Sequence, residues 1–145
     1  MISFGTSGHR GIIGKDFTVR HVHAIGKAVA VYLKRAKPTP TIFVGYDPRT
    51  GNSPERVEGS FTQELVSTLT KEGVNVHFSD ACCPTPYVSW YVVKNKLDGG
   101  LMLTASHNPP NYNGIKFNPA NGAPAPTSVT QELEQLANDF YRQSI

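Results

Sequence analysis

Between residues 18 and 38 the apolar side chains Val19, Val22, Ile25, Val29 and Leu33 recur at three- and four-residue intervals. That spacing places them on one face of an α-helix. Thr18 stands where an N-cap belongs and Pro38 closes the run, because proline lacks the N–H that a continuing helix needs. The pattern then shortens. Thr41–Tyr46 (TIFVGY) is a β-branched and aromatic run ending at DPRTGNSP, a string of turn formers, and it reads as a strand followed by a loop. Ser53–Pro54 predicts an N-cap with proline in the first helical position. Val57, Phe61, Leu65 and Leu69 carry that helix to Gly73, which ends it.

VNVHF (74–78) reads as a second strand, CCPTP as a stiff connector, and a shorter helix is predicted from Pro86 to Asn95. GGLMLTA is a third, nearly continuous apolar strand of the kind buried on both faces. GIKFN is a short fourth. Asn118 to Thr127 is a loop rich in Pro, Ala and Asn, a composition that favours mobility, and Thr130–Tyr141 is a last amphipathic helix through Leu133, Leu136 and Phe140. Alternation of strand and helix predicts an α/β fold, a three-layer α/β/α sandwich with a mixed, mostly parallel four-stranded sheet. Ligands of such sheets bind beyond the carboxyl ends of the strands. Here those ends are the loops after Tyr46 and Leu103.

Composition narrows the partners. A chain of 145 residues with 39% hydrophobic and 17% charged residues fits one domain with a real core. The net charge of +3 is mild, and the only basic cluster (Lys34, Arg35, Lys37) falls at the first helix's end, where it suits the helix dipole better than a nucleic acid. No stretch reaches the roughly 20 apolar residues of a membrane span, and MISFGTSGHRG has no secretory signal pattern. Cytoplasmic residence, with neither nucleic acid nor membrane as partner, is the expectation. Cys82 and Cys83 are adjacent, a spacing that suits neither zinc nor a redox pair. They read as buried or half-buried free thiols.

Two stretches carry candidate chemistry. In TASHNPPNYNGIK, Ser106 follows the buried strand and His107 follows Ser106. Neighbours in an extended loop point to opposite sides, and the strained G-x-S-x-G elbow is missing, which argues against a serine hydrolase. A phosphate carrier fits better. Ser106 is rigidly held and exposed, Gly114 permits close backbone approach, and Lys116 returns a cation to the same neighbourhood. A phosphoserine adds nearly two negative charges and needs such partners. In FGTSGHRG, Gly5, Gly8 and Gly11 separate Thr6, Ser7, His9 and Arg10. A flexible loop of this kind can nest an anion on its amides and hydroxyls, with Arg10 gripping phosphate through paired hydrogen bonds. Asp47 and Arg49 read as a loop-stabilising pair, and His21, His23 and His77 as core or surface histidines.

FGTSGHRG, TASHNP and NGIKFN, in that order, together with GYDPRTGNSP, closely resemble the first domain of the α-D-phosphohexomutases. That family contains phosphoglucomutase, phosphomannomutase and phosphoglucosamine mutase. The resemblance implies interconversion of hexose 1-phosphate and hexose 6-phosphate through a hexose 1,6-bisphosphate, which also serves as activator. It makes Ser106 the phosphoserine and Lys116 a group for proton transfer or charge stabilisation. His107 lines the site or braces the loop, and Arg10 reaches in from the opening segment alongside Thr6 and Ser7 on the substrate. It implies Mg²⁺ bound through the phosphate on Ser106, with a phosphohexose and the enzyme's remaining domains as partners. The family's aspartate-x-aspartate-x-aspartate-arginine magnesium loop and its sugar-specificity loop are not in this sequence. The expectation is therefore domain 1 alone (residues 1–145), inactive by itself. The histidine of TSGHRG leans toward a glucose-directed member. The alternative is a non-catalytic phosphate- or partner-binding module on the same fold.

Overall fold

The computed structural model describes residues 1–144. In chain order the elements are β1 (His9–Ile12), α1 (Val19–Lys34), β2 (Thr41–Tyr46), α2 (Phe61–Lys71), β3 (Asn75–Phe78), α3 (Thr85–Lys94), β4 (Gly99–Leu103), β5 (Tyr112–Pro119) and α4 (Thr127–Gln143). The strands form one sheet in the order β1-β5-β4-β2-β3. The expected α/β sandwich is present, with a corrected sheet. It has five strands rather than four, and two antiparallel pairs (β1–β5, β5–β4) balance two parallel ones (β4–β2, β2–β3). The extra strand is β1, which lies in the glycine-rich opening segment. Its partner is near the other end of the chain (His9↔Ile115), so local pattern gives no hint of the pairing.

Helix α1 begins at Thr18 as expected. His21, at the third helical position, takes the part that Glu or Gln plays in a capping box: its Nδ1 accepts from the Thr18 N–H at 3.1 Å. Helix α2 starts later than the Ser53–Pro54 signal suggests. Ser60 is its N-cap, accepting from the Gln63 N–H at 3.2 Å. Ser53 caps only an isolated turn, its hydroxyl accepting from the Val57 N–H, because Arg56 (φ +53°) and Gly59 (φ +84°) interrupt any continuous helix. Val57, counted with the apolar face, is accordingly exposed. Cys82 is also exposed and only Cys83 half-buried, so the thiol expectation holds for one of the pair. The loop after β5 is pinned at its start by the Asn118 side chain, whose amide donates to the Gly122 and Ala123 carbonyls.

The two sheet faces are covered unequally. One face (Ile42, Val44, Tyr46, Leu101, Leu103, Ile115, Phe117) packs on α1, α2 and α4 in the main core. The other presents Phe43 and Met102 to Val88 and Val92 of α3. That single helix lies over β2 and β4. β4 is buried along its whole length, as its uninterrupted apolar run predicts. No helix of the described residues is long and apolar enough to cross a membrane.

Beneath β1, His9 and His21 stack at 5.6 Å between ring centroids, and Tyr141 of α4 packs on the far side of His21. Burial, with the neighbouring His9 adding to it, lowers the His21 pKa from 6.5 to about 4. The folded state therefore keeps His21 neutral while the unfolded chain protonates it near its ordinary value. Its contribution to stability is complete above that value and is lost as pH falls toward 4. His21→Gln keeps an acceptor for Thr18 and removes the titration. Between about pH 7 and pH 4 the thermal midpoint of the wild-type chain is expected to fall by roughly 5 °C more than that of His21→Gln. Parallel pH profiles would disprove the assignment.

Candidate functional site

β2 and β4 run parallel and end in register, Tyr46 beside Leu103, so the loops that follow them leave the sheet side by side. The Ala105 carbonyl accepts from the Asn108 N–H at 3.0 Å and closes a turn. Ser106 occupies its first central position with φ +53°, a left-handed conformation that usually falls to glycine. Thr104 supports the turn from below. Its hydroxyl accepts from the Ser106 N–H at 2.9 Å and donates to Asp47 Oδ2 at 2.5 Å. Ser106 and His107 are exposed at the tip, and neither His107 ring nitrogen has a partner among the described residues.

The cations arrive on one sheet face. Arg10 of β1 pairs with Gly114 of β5, and Lys116 follows two residues along that strand, so both side chains leave from the same, thinly covered face. Gly114 is required there: a Cβ would lie 2.3 Å from the His9 carbonyl and 3.0 Å from Arg10 Cγ. With that face bare, Arg10 reaches the Ser106 turn, its Nη1 donating to Asn108 Oδ1 at 3.4 Å. Arg10 Nε is buried without a partner. Lys116 is half-buried and makes no ion pair among the described residues. Thr6 and Ser7 form the exposed tip of a turn closed by the Gly8 N–H on the Gly5 carbonyl. Gly8 (φ +78°) lies directly on β5, where a Cβ would meet the Ile115 carbonyl at 2.0 Å and Lys116 Cα at 2.7 Å.

The structure thus gathers Ser106 with His107 on one loop, Arg10 in contact with that loop, and the Thr6–Ser7 turn beside Lys116. His9, part of the same opening motif, is not in this group. It is buried, its Nε2–H donating to the Asp16 carbonyl at 2.9 Å. Sequence reasoning passed over Thr104, Asn108, Asn52 and Asn113. Asn52 donates to the Asp47 and Leu103 carbonyls, and Asn113 donates to Thr50 O and Asn52 Oδ1, tying the loop after β2 to β5. Their signal in sequence is only that short polar side chains flank strand ends, where they bond nearby backbone.

The described residues contain no group of three His, Cys, Asp or Glu side chains placed to hold a metal. The carboxylate next to the turn, Asp47, is engaged by Thr104 and lies 3.5 Å from Arg49 Nε. These residues do not fit a self-sufficient Mg²⁺ site.

Known proteins agree with this architecture. The family model for phosphoglucomutase/phosphomannomutase, alpha/beta/alpha domain I, matches residues 1–142. The chain is 34% identical to a phosphoglucomutase of Komagataeibacter xylinus over 96% of its length, and 36% identical to a phosphoglucosamine mutase of Caldanaerobacter subterraneus over 94%. A crystal structure of a candidate phosphomannomutase from Thermus thermophilus superposes with a TM-score of 0.83 at 35% identity, covering 94% of this chain and 30% of that one. The α/β/α fold defines the class, and the chain belongs to the phosphoglucomutase/phosphomannomutase family as its domain I. It spans 26% and 29% of the two curated relatives' lengths, and those relatives carry names for different sugars.

The left-handed turn makes a stability prediction. A non-glycine residue held at positive φ costs of order 1 kcal/mol. Ser106→Gly should therefore exceed Ser106→Ala in unfolding free energy by about 1 kcal/mol, measured by urea titration. Equal stabilities would mean that the turn relaxes without the hydroxyl.

Proposed function

We propose that Ser106 is the phosphoryl carrier of a mutase that interconverts hexose 1-phosphate and hexose 6-phosphate through a hexose 1,6-bisphosphate. The observation that carries this reading is Arg10 reaching the strained turn that exposes Ser106, with Lys116 leaving β5 on the same sheet face and neither cation in an ion pair among the described residues. An anion placed there would meet charge and donors that the fold itself leaves unmatched.

In the transfer step the oxygen of a sugar hydroxyl bonds to phosphorus as the Ser106 Oγ–P bond breaks. The hydroxyl proton leaves to a base, and Oγ departs with a proton supplied in its place. Little covalent work falls to the protein, so positioning and charge dominate. Arg10 binds and orients the phosphoryl oxygens. Lys116 stabilises charge or passes the proton, His107 lines the same site, and Thr6 and Ser7 offer hydroxyls to the substrate. The reverse transfer, after the bisphosphate reorients, returns the other phosphate to Ser106. Mg²⁺ supplies charge neutralisation in chemistry of this kind, and one oxygen of the Ser106 phosphate is the only ligand proposed from this chain. Sugar recognition and the remaining metal ligands are assigned to the part of the enzyme that the relatives have beyond this length. The chain by itself is accordingly proposed to lack steady mutase activity.

Intact-mass measurement after incubation with glucose 1,6-bisphosphate and Mg²⁺ tests the carrier role. One added phosphate in the wild type and none in Ser106→Ala is expected. A wild-type chain that gains none would favour a phosphate- or partner-binding module. Lys116→Met keeps the stem and removes the charge, and phosphoryl uptake should slow about a hundredfold. A rate within a few-fold of wild type would remove Lys116 from the mechanism. Calorimetry on the unphosphorylated chain should find Mg²⁺ no tighter than about millimolar, since the ion wants an octahedral oxygen set anchored by carboxylates. A micromolar site would contradict the division of ligands.

A further inference from the structure

Arg49, on the loop after β2, has both terminal guanidinium nitrogens fully occupied. Nη1 donates to the carbonyls of Pro109 (2.9 Å) and Tyr112 (3.0 Å), and Nη2 to those of Ser106 (2.6 Å) and Asn108 (2.9 Å). Nε faces Asp47 Oδ2 at 3.5 Å, and the side chain is only 12% exposed. We propose that Arg49 is a positioning residue for phosphoryl transfer: by gathering four carbonyls of the 106–112 segment it holds Ser106 in its left-handed turn. This role rests on the phosphoserine reading.

The need for such a residue follows from composition. Pro109 and Pro110 stand in succession here, and each contributes an acceptor without a donor. The segment therefore carries surplus carbonyls beside a group proposed to become a dianion. A planar fork with five N–H groups is the one side chain able to satisfy four of them together. Because C=O and N–H point oppositely across a trans peptide, drawing the Ser106 carbonyl toward Arg49 turns the His107 N–H away from it. Arg49 thus fixes the turn from behind and leaves the His107 N–H facing outward. With all four Nη hydrogens on backbone carbonyls and Nε beside Asp47, its fork is turned to the protein, in contrast to Arg10.

The test uses the whole chain as wild type, Arg49→Lys and Arg49→Gln, with two readouts. The first is amide hydrogen exchange. Both variants should speed exchange in 106–112 by at least about tenfold while β4 and α1 stay within about twofold. Unchanged exchange in that segment, or acceleration spread through the domain, would overturn the clamp. The second is the rate of phosphoryl uptake at Ser106 from glucose 1,6-bisphosphate with Mg²⁺. Its maximal rate should fall by about tenfold or more in both variants, with the half-saturating bisphosphate concentration little changed. Full rescue by Arg49→Lys would show that charge alone suffices and would overturn the positioning role. Absence of uptake in the wild type would instead count against the phosphoserine reading and remove the catalytic meaning of the clamp, with exchange still deciding whether the clamp exists.

Discussion

The register of β2 against β4 is the constraint on which the site depends. Because Tyr46 and Leu103 end their parallel strands side by side, the two following loops emerge within hydrogen-bonding distance and bond to one another. The Asp47 N–H donates to the Leu103 carbonyl, Thr104 donates to Asp47, and Arg49 spans the turn that carries Ser106. A one-residue slip of β4 would turn Leu101 and Leu103 out of the main core. The geometry of the loop pair is thereby tied to burial of apolar strands and does not rest on loop stiffness alone.

The antiparallel side of the sheet contributes the charges by a different route. β1 is an edge strand, and pairing it with β5 puts Arg10 opposite a glycine. The sheet face beneath it is covered mainly by α3, over β2 and β4. A guanidinium and an ammonium can therefore lie along that face with no helix packed over them, although Arg10 Nε is itself enclosed. The opposite face carries three helices and most of the core. Unequal layering separates a stabilising side of the domain from a side left open for polar groups.

Much of this was legible in the chain. The 3.6-residue pattern of α1 and the unbroken apolar run of β4 both appear where expected, since each is decided by burial that a short window records. β1 was not, because its pairing is non-local and its sequence lies among glycines. The start of α2 was misplaced because a serine–proline pair signals helix entry locally, and positive φ at Arg56 and Gly59 then cancels it. At the site, Ser106, Arg10 and Lys116 stood out by residue type. Thr104, Asn52 and Asn113 did not, because hydrogen bonds to backbone leave no periodicity and depend on which loops become neighbours. The left-handed φ of Ser106 was equally hidden, being carried by a serine where glycine would have announced it.

One buried group bears on the direction in which the site is built. Arg10 Nε is enclosed yet has no acceptor, and an unsatisfied buried donor costs on the order of 1–3 kcal/mol. Its guanidinium holds only a long contact to Asn108, two residues from Ser106. Arg49, a short way along the same loop system, has no such deficit. Two arginines approach one turn, one with four backbone carbonyls on its terminal nitrogens and one left with unmet capacity. Arg49 spends its fork on holding the turn. The unmatched one has most to gain from an incoming anion, because an anion would supply the acceptor that folding withheld.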